Sequence, residues 1–199
     1  MGQLRIIAGK WKRRPIPVQD LRGLRPTPDR VRETLFNWLG QRLDGWRCLD
    51  LFAGTGALGL EAASRGAVQV VFVESDALAV HAIAQWINRV GGAPECQIVR
   101  AKAQEWCPAA APGGFDLIFM DPPFGEGMVG RMIPMAARLL APTGLMYVES
   151  EAPLDADGMA AHGLTKFRAD KAGAVHYHLL QFSASQGAQD ANRGLSGHI

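Results

Sequence analysis

The sequence predicts an α/β fold in which a doubly wound, mostly parallel sheet ends in an antiparallel hairpin and carries a small N-terminal extension. Strand-length apolar runs alternate with segments of helical period through the middle of the chain, a pattern typical of parallel sheets covered by helices. A glycine-rich turn, Gly54-Thr55-Gly56, follows the first of these strands and leads into a helix. The last two apolar runs can pair directly around residues 171–173.

The hydrophobic pattern also divides the 199 residues into three parts. Residues 1–45 form a basic extension with a short strand at 4–8 and a helix that begins near Asp29, capped by Thr27 or Asp29. Residues 46–182 form the α/β domain, and 183–199, rich in Ser, Gly, Ala and Asn, form a disordered tail. The predicted strands of the domain are 47–52, 69–74, 96–100, 115–120, 144–149, 164–168 and 175–182. The predicted helices are 57–65, 76–90, 103–107 and 127–140.

Charge is distributed unevenly along the chain. The whole protein has a formal net charge of +2, yet residues 1–47 hold eleven Lys and Arg against four Asp and Glu. A basic arm on a mildly acidic domain indicates a polyanionic partner. Lys10, Lys12, Arg13 and Arg14 are candidates for phosphate contacts, and Trp11 could stack on a base. The alternative for this run is a solvated, charged loop.

A second basic group lies where the N-terminal helix begins. Arg25, Arg30 and Arg32 crowd this position, where the helix dipole disfavours cations. Their placement is more natural if an anion binds there. The apolar stripe that follows on the same helix is interpreted as core packing.

Several classes of protein are disfavoured by composition. The longest apolar runs are far shorter than a bilayer span, and the N-terminus lacks the apolar region of a signal peptide. Cys48, Cys96 and Cys107 have no paired metal-binding spacing, so no metal site is expected. We expect a cytoplasmic protein with reduced, structural cysteines and no membrane partner.

Two acids define a candidate cofactor site around the glycine turn. Gly54-x-Gly56-x-x-Gly59 matches the dinucleotide fingerprint, and Glu74 ends the next strand at about the spacing of a ribose-binding acid. Asp50, however, puts a carboxylate beside the loop, where it would repel the pyrophosphate of NAD. It suits the cationic methionine end of S-adenosylmethionine, which we therefore favour as the cofactor. The plain alternative is a strand–helix turn with capping glycines.

The second chemical motif is Asp121-Pro122-Pro123-Phe124, directly after a buried strand. The prolines fix the backbone and remove two donors, which leaves a carboxylate, carbonyl groups and an aromatic ring. This set suits a flat base with an exocyclic amine: Asp121 and the Pro122 carbonyl would accept its hydrogens, and Phe124 would stack on the ring. One carboxylate can accept both N1–H and N2–H of guanine, whereas adenine presents an acceptor at N1. The motif therefore favours guanine modestly, and the base must leave its stack to reach the pocket.

These segments resemble the bacterial RsmD-type methyltransferases, which make N2-methylguanine in 16S ribosomal RNA. The resemblance covers residues 1 to about 182 and rests on RIIAGKWKRRPIPV, LRPTPDRVRETLFNWL, LDLFAGTGALGLEAASRGA, VVFVESD, DPPF and YVESE. It implies a Rossmann-like class I S-adenosylmethionine fold whose N-terminal extension helps to hold RNA. The catalytic set is then Asp121, Pro122 and Phe124. The cofactor set is Asp50, Phe52, Gly54, Thr55, Gly56, Glu74, Ser75 and Ala103. The substrate set is Arg13, Arg14, Arg25, Thr27 and Arg30.

One position departs from the family pattern. Many relatives carry Asp or Asn after the third strand, where this chain has Lys102, and lysine cannot accept a hydrogen bond. The adenine of the cofactor would then be held by backbone groups near Ala103, with weaker affinity, or Lys102 points to solvent. We expect 16S ribosomal RNA, within a small-subunit assembly particle, as the partner of a monomeric enzyme. The alternatives are an adenine-N6 methyltransferase on DNA or RNA, a nucleotide-binding dehydrogenase and a non-catalytic RNA-binding module.

Overall fold

A computed structural model describes residues 4–17, 28–125 and 127–183, and it confirms the predicted α/β class. The strands are β1 (Arg47–Asp50), β2 (Gln69–Glu74), β3 (Cys96–Arg100), β4 (Phe115–Met120), β5 (Leu140–Ser150), β6 (Leu164–Ala172) and β7 (Val175–Phe182). The helices are α1 (Asp29–Leu39), α2 (Ala57–Ser64), α3 (Ala77–Arg89), α4 (Ala103–Trp106), α5 (Met128–Leu139) and α6 (Ala156–Ala160).

The sheet order places a switch point in the middle of the fold. The seven strands of the described residues lie in the order β3-β2-β1-β4-β5-β7-β6, with the first five parallel and β7 antiparallel to both of its neighbours. The chain runs outward from β1 to β3 and then returns to the other side of β1 as β4. In such sheets ligands bind beyond the carboxyl ends of the strands at this reversal. The region above β1 and β4 is therefore where a site is expected.

Hydrophobic cores cover both faces of the sheet. Helices α1, α2 and α3 pack on one face, and α4, α5 and α6 pack on the other. Helix α1 crosses the sheet: the rings of Phe36 and Phe119 lie 6.1 Å apart, and those of Trp38 and Tyr177 lie 5.4 Å apart. The helix of the N-terminal extension thus shares its core with the α/β domain. That residues 1–45 bind RNA stays a prediction.

The strand predicted at 4–8 is wrong. This segment makes a single antiparallel bridge between Arg5 and Pro15, because the prolines that follow supply no N–H groups with which a ladder could continue. The amides of Ile7 and Ala8 instead donate to the Glu61 carboxylate at 2.7 and 3.0 Å. The segment is therefore held both by this buried side chain and by backbone hydrogen bonds to residues 13–16, such as that from the Ile6 N–H to the Arg14 carbonyl at 2.9 Å.

The start of α1 also differs from the prediction. Pro28 is the N-cap residue, and among the described residues no side chain caps the helix. Asp29 is its first residue and accepts from Arg32 at 2.6 Å, while the predicted cap Thr27 lies outside the described residues. Arg32 is fully buried, with a guanidinium nitrogen 3.7 Å from the Glu61 carboxylate. The expectation that Arg32 helps to attract an anion is therefore wrong, since its charge is balanced inside the protein.

Two strands are longer than their local patterns indicate. Strand β5 begins at Leu140 rather than near 144, because the turn-like residues after Ala141 form an irregularity in its pairing with β4. Strand β6 continues to Ala172 because it pairs with β7, although residues 165–171 are exposed and lack alternation. The tail predicted at 183–199 lies outside the described residues except for Ser183.

Within the three described ranges, no helix has the length and apolar character needed to cross a bilayer. In the same part of the chain, no three His, Cys, Asp or Glu side chains are grouped as metal ligands. The three cysteines are free thiols.

Candidate active site

A cavity of about 530 Å³ lies over the carboxyl ends of the central strands. Asp50, Glu74, Asp121 and Glu149, from the ends of β1, β2, β4 and β5, all line it, as does Lys102. The sequence predicted that these five residues share one face, and this is confirmed. Residues separated by up to 99 positions in the chain come together because parallel strands end at the same edge of the sheet.

The glycine turn permits a close backbone approach behind the cavity. Gly54 and Gly56 have φ values of 51° and 75°, in the left-handed region that side chains rarely adopt. A Cβ atom at Gly59 would lie 2.3 Å from the ring of Phe72, so this glycine allows α2 to pack closely on β2. The turn therefore has glycine where the backbone needs it, and α2 begins at the cavity.

Asp50 is a buried carboxyl group at the end of β1. It is 3% exposed and accepts the Gly59 N–H at 3.0 Å. Burial raises the pKa of Asp50 to about 7; the Gly59 hydrogen bond opposes this rise, and the charge of Glu74 adds to it. An Asp in this state is readily stabilised as an anion by a cationic ligand.

Glu74 is fixed by hydrogen bonds from the loops on either side of it. Its Oε2 accepts the Gly54 N–H at 2.8 Å, and its Oε1 accepts the Asp76 N–H at 2.8 Å. The Ser75 hydroxyl donates to the same Oε1 at 3.4 Å. A carboxylate has about four acceptor positions, so these contacts orient Glu74 without using up its capacity for hydroxyl groups.

The other predicted cofactor residues are distributed around this end of the cavity. Phe52, Thr55, Ser75 and Ala103 contribute to its wall, whereas Gly56 lies behind the wall as the N-cap residue of α2. The Lys102 side chain is 66% exposed, and its Nζ lies 3.6 Å from Glu105. The amine of Lys102 therefore points to solvent, and the contact of an adenine with backbone groups near Ala103 stays a prediction.

The Asp121-Pro122-Pro123-Phe124 segment also lines this cavity. Pro122 is buried, whereas Phe124 is 44% exposed, and both line the cavity. Asp121 follows β4 immediately and lies beside the end of β5. The two motifs that the sequence singled out thus belong to one continuous space.

Several lining residues carried no signal in the sequence. They are Pro28, Val31, Leu58, Gln104, Met128, Ala172 and Val175, from α1, α2, α4, α5 and the β6–β7 hairpin. Apolar residues at helical or strand spacing are usually core, so only the tertiary packing reveals that these reach the cavity. Glu149 did carry a signal, because its place at a strand end predicted that it faces the site.

Three of the five residues predicted to bind the substrate lie in the described part of the chain, and all three are exposed. Arg13 and Arg14 are exposed in the N-terminal loop, and Arg30 is exposed next to Val31 of the cavity wall. Arg25 and Thr27 lie outside the described residues. Their roles stay predictions.

Trp11 is not available to stack on a base, so that expectation is wrong. Its ring is 7% exposed and meets the ring of Trp86 edge-on at 5.2 Å. Lys10 packs on the Trp11 ring and forms an ion pair with Glu95. Trp11 is therefore part of the hydrophobic core, and its burial attaches the N-terminal loop to the rest of the protein.

A sheet of this order, with acids at the ends of its central strands, is the fold of class I S-adenosylmethionine-dependent methyltransferases. The model of the family described as Conserved hypothetical protein 95 matches residues 4–181, and the chain belongs to this family.

Curated relatives and a solved structure agree with this assignment. The chain is 41% identical over 194 residues to Ribosomal RNA small subunit methyltransferase D of Escherichia coli strain K12, and the match covers 96% of each chain. It is 37% identical over 185 residues to the Haemophilus influenzae protein of the same name, covering 90% of this chain and 94% of that one. The solved structure of yhhF from Escherichia coli is 36% identical, has a TM-score of 0.78 and covers 92% of this chain and 100% of that chain.

Proposed function

We propose that this chain transfers a methyl group from S-adenosylmethionine to the exocyclic N2 amine of a guanine in 16S ribosomal RNA. The observation that carries the proposal is the single cavity that joins the acids around the glycine turn to the Asp121-Pro122-Pro123-Phe124 segment. The named activity of the two bacterial relatives supports ribosomal RNA of the small subunit as the substrate class.

The residues at the glycine-turn end fit S-adenosylmethionine. Asp50 would meet the ammonium group of the methionine part, because a buried carboxyl group gains most from a cation. Glu74, oriented by Gly54, would accept the ribose hydroxyls, and backbone groups near Ala103 would hold the adenine. When bound, this cofactor supplies an electrophilic methyl group on a sulfonium.

The residues at the other end would prepare the amine. An exocyclic amine is a poor nucleophile because its lone pair is delocalised into the ring. Asp121 and the Pro122 carbonyl would accept its two hydrogens and favour a pyramidal nitrogen, while Phe124 stacks on the base. These contacts lower the barrier through positioning and electrostatics. The methylated nitrogen must then lose a proton, and Asp121 is the assigned acceptor.

The basic N-terminal part supports an RNA partner. Arg13, Arg14 and Arg30 are exposed cations that phosphates could contact. We propose further that the substrate is an assembly particle of the small subunit, that the enzyme acts as a monomer and that it works in the cytoplasm, where such particles form. Adenine-N6 methylation of DNA or RNA is the second candidate, because the same motif could also hold an adenine amine.

The proposal is tested by incubating the protein with radiolabelled S-adenosylmethionine and small ribosomal subunits from cells that lack the enzyme. After digestion, the label is expected in N2-methylguanosine. Label in N6-methyladenosine would instead select the second candidate, and no label from an enzyme that binds the cofactor would refute the substrate assignment.

The role of Asp121 is tested with Asp121→Ala in the same assay. We expect methyl transfer to fall by at least about 100-fold, because the amine loses the carboxylate that orients it, while S-adenosylmethionine binds with unchanged affinity. Asp157→Ala, at an exposed acid on α6, is the matched control and should keep full activity. Near-normal turnover by Asp121→Ala would refute the assigned role.

A further inference from the structure

We infer that Glu149 is a specificity-determining residue that accepts the N1–H of the target guanine while Asp121 holds the N2 amine. The inference rests on the proposed function and deepens it. The proposed methyl transfer gives Glu149 no role, although this residue is only 4% exposed and lines the same cavity as Asp121.

The register of the sheet makes Glu149 and Asp121 neighbours. Strands β4 and β5 are parallel, with Phe119 opposite Tyr147 and Met120 opposite Val148. Asp121 and Glu149 are the next residue on each strand. Adjacent strands lie about 4.8 Å apart, so the two side chains leave neighbouring strand ends side by side, where both can reach the edge of one base.

Tyr147 orients the Glu149 carboxylate from within the core. Its hydroxyl donates to Glu149 Oε1 at 2.7 Å, since residues two apart on a strand project from the same face. Tyr147 is fully buried, and burial, followed by the charge of Glu149, raises its pKa well above the ordinary value. The hydroxyl therefore stays protonated and stays a donor. Because a carboxylate accepts several hydrogen bonds, the bond from Tyr147 positions the group without saturating it.

Guanine and adenine differ in what they would present to this carboxylate. The Watson–Crick edge of guanine carries N1–H beside the N2 amine, a row of donors that matches two neighbouring carboxylates and the Pro122 carbonyl. Adenine has a lone pair at N1. N1 and the Glu149 carboxylate are then both acceptors, and no hydrogen bond can form between them. Two buried acceptors that face each other in this way discriminate strongly between substrates. Glu149 thus adds a second acceptor to the modest preference for guanine that the Asp121 motif gives by itself.

The test compares two bases at the methylated position, once wild-type labelling has located it. Small-subunit particles are reconstituted with 16S RNA that carries either guanine or 2-aminopurine there; the latter keeps the C2 amine but has an acceptor at N1. In Glu149→Gln, the Tyr147 hydroxyl favours the amide oxygen, so the amide NH₂ faces the base. That group can donate to N1 of 2-aminopurine but opposes the N1–H of guanine.

We expect wild type to prefer guanine by about 100-fold or more in kcat/KM, and Glu149→Gln to lower the guanine rate by about 10- to 100-fold. The preference for guanine should shrink at least about 10-fold in the variant, with unchanged affinity for S-adenosylmethionine. The preference is the ratio of two kcat/KM values measured on one preparation. A misfolded fraction lowers both values equally and leaves their ratio unchanged. Tyr147→Phe removes the hydroxyl that orients Glu149, so it should reduce the preference for guanine over 2-aminopurine by a smaller factor than Glu149→Gln does.

Two other outcomes overturn the inference in different ways. If Glu149→Gln lowers the rates on guanine and 2-aminopurine by the same factor, or changes neither rate, then Glu149 does not contact N1 and the inference is wrong. Methylation of guanine by wild type would still support the proposed function in that case. If wild type places no label on guanine, the proposed function fails and this inference fails with it.

Discussion

The carboxyl group of Asp50 lies at the end of β1 with 3% of its surface exposed. Burial raises its pKa to about 7, so near neutral pH the free protein holds a mixture of the acid and the carboxylate. A cationic ligand stabilises the carboxylate and would draw the group into its charged form. Protonation of one buried residue can therefore compete with cofactor binding.

We predict that the affinity for S-adenosylmethionine falls as the pH is lowered through about 7, by up to about tenfold per pH unit below the pKa of Asp50. The affinity falls rather than rises because the cationic ligand binds the carboxylate form of Asp50, and this form is lost at low pH. Calorimetric titration between pH 5.5 and 8.5 measures this. Asp50→Asn keeps an acceptor for Gly59 and should bind weakly with no such dependence. A pH profile shared by wild type and Asp50→Asn would assign the dependence to another group.

At the scale of elements, the N-terminal segment is attached to α2 through a buried polar cluster. Glu61 is fully buried and accepts from the amides of Ile7 and Ala8 and, at 2.8 Å, from Arg65 Nε. Helix α1 joins the same cluster, since Arg32 lies 3.7 Å from Glu61. One carboxylate thereby fixes two elements of the extension against the helix that begins at the cavity.

We predict that Glu61→Gln destabilises the protein by about 3 kcal/mol, because it removes the buried counter-charge of Arg65 and leaves the buried Arg32 with only the half-exposed Asp29 as an anionic partner. Urea unfolding monitored by circular dichroism gives the free energy of unfolding. The control is Arg42→Ala, which breaks a largely exposed ion pair with Asp44 and should leave stability unchanged within error. Equal stability of Glu61→Gln and wild type would mean that the cluster is not required to attach the extension.

At the scale of the whole molecule, the basic N-terminal part and the acidic remainder produce an uneven electrostatic field. Exposed Arg13 and Arg14 lie on the loop that Trp11 anchors to the core. Arg13 has a φ of 69°, the one positive value at a non-glycine position in the part of the chain that the structure describes. A side chain kept in a disfavoured backbone conformation is consistent with a role for that side chain outside the fold.

We predict that Arg13→Ala combined with Arg14→Ala weakens binding to small-subunit RNA and lowers the slope of log affinity against log salt by about 2. Each arginine that contacts a phosphate releases about one counterion, so the loss should be independent of RNA sequence. Filter binding at several salt concentrations measures the slope. Arg89→Ala, at an exposed arginine in the last turn of α3, is the control. An unchanged slope in the double variant would place the RNA on another surface.

By itself, the sequence determined the alternation of strands and helices, the glycine turn and the acids at the strand ends. These follow from local rules: hydrophobic period identifies an element, positive φ requires glycine, and parallel strands bring their carboxyl ends to one edge. That is why Asp50, Glu74 and Asp121 could be assigned to one site before any contact was known. Family resemblance then added the expected chemistry.

The tertiary structure alone decided which side chains are covered and what balances their charges. Trp11 is buried by Trp86, 75 positions away, and Arg32 is neutralised by Glu61, so neither is available to RNA. The Tyr147 hydroxyl orients Glu149 only because both project from one face of a buried strand. Burial and ionisation depend on contacts between residues far apart in the chain, and no local spacing encodes them.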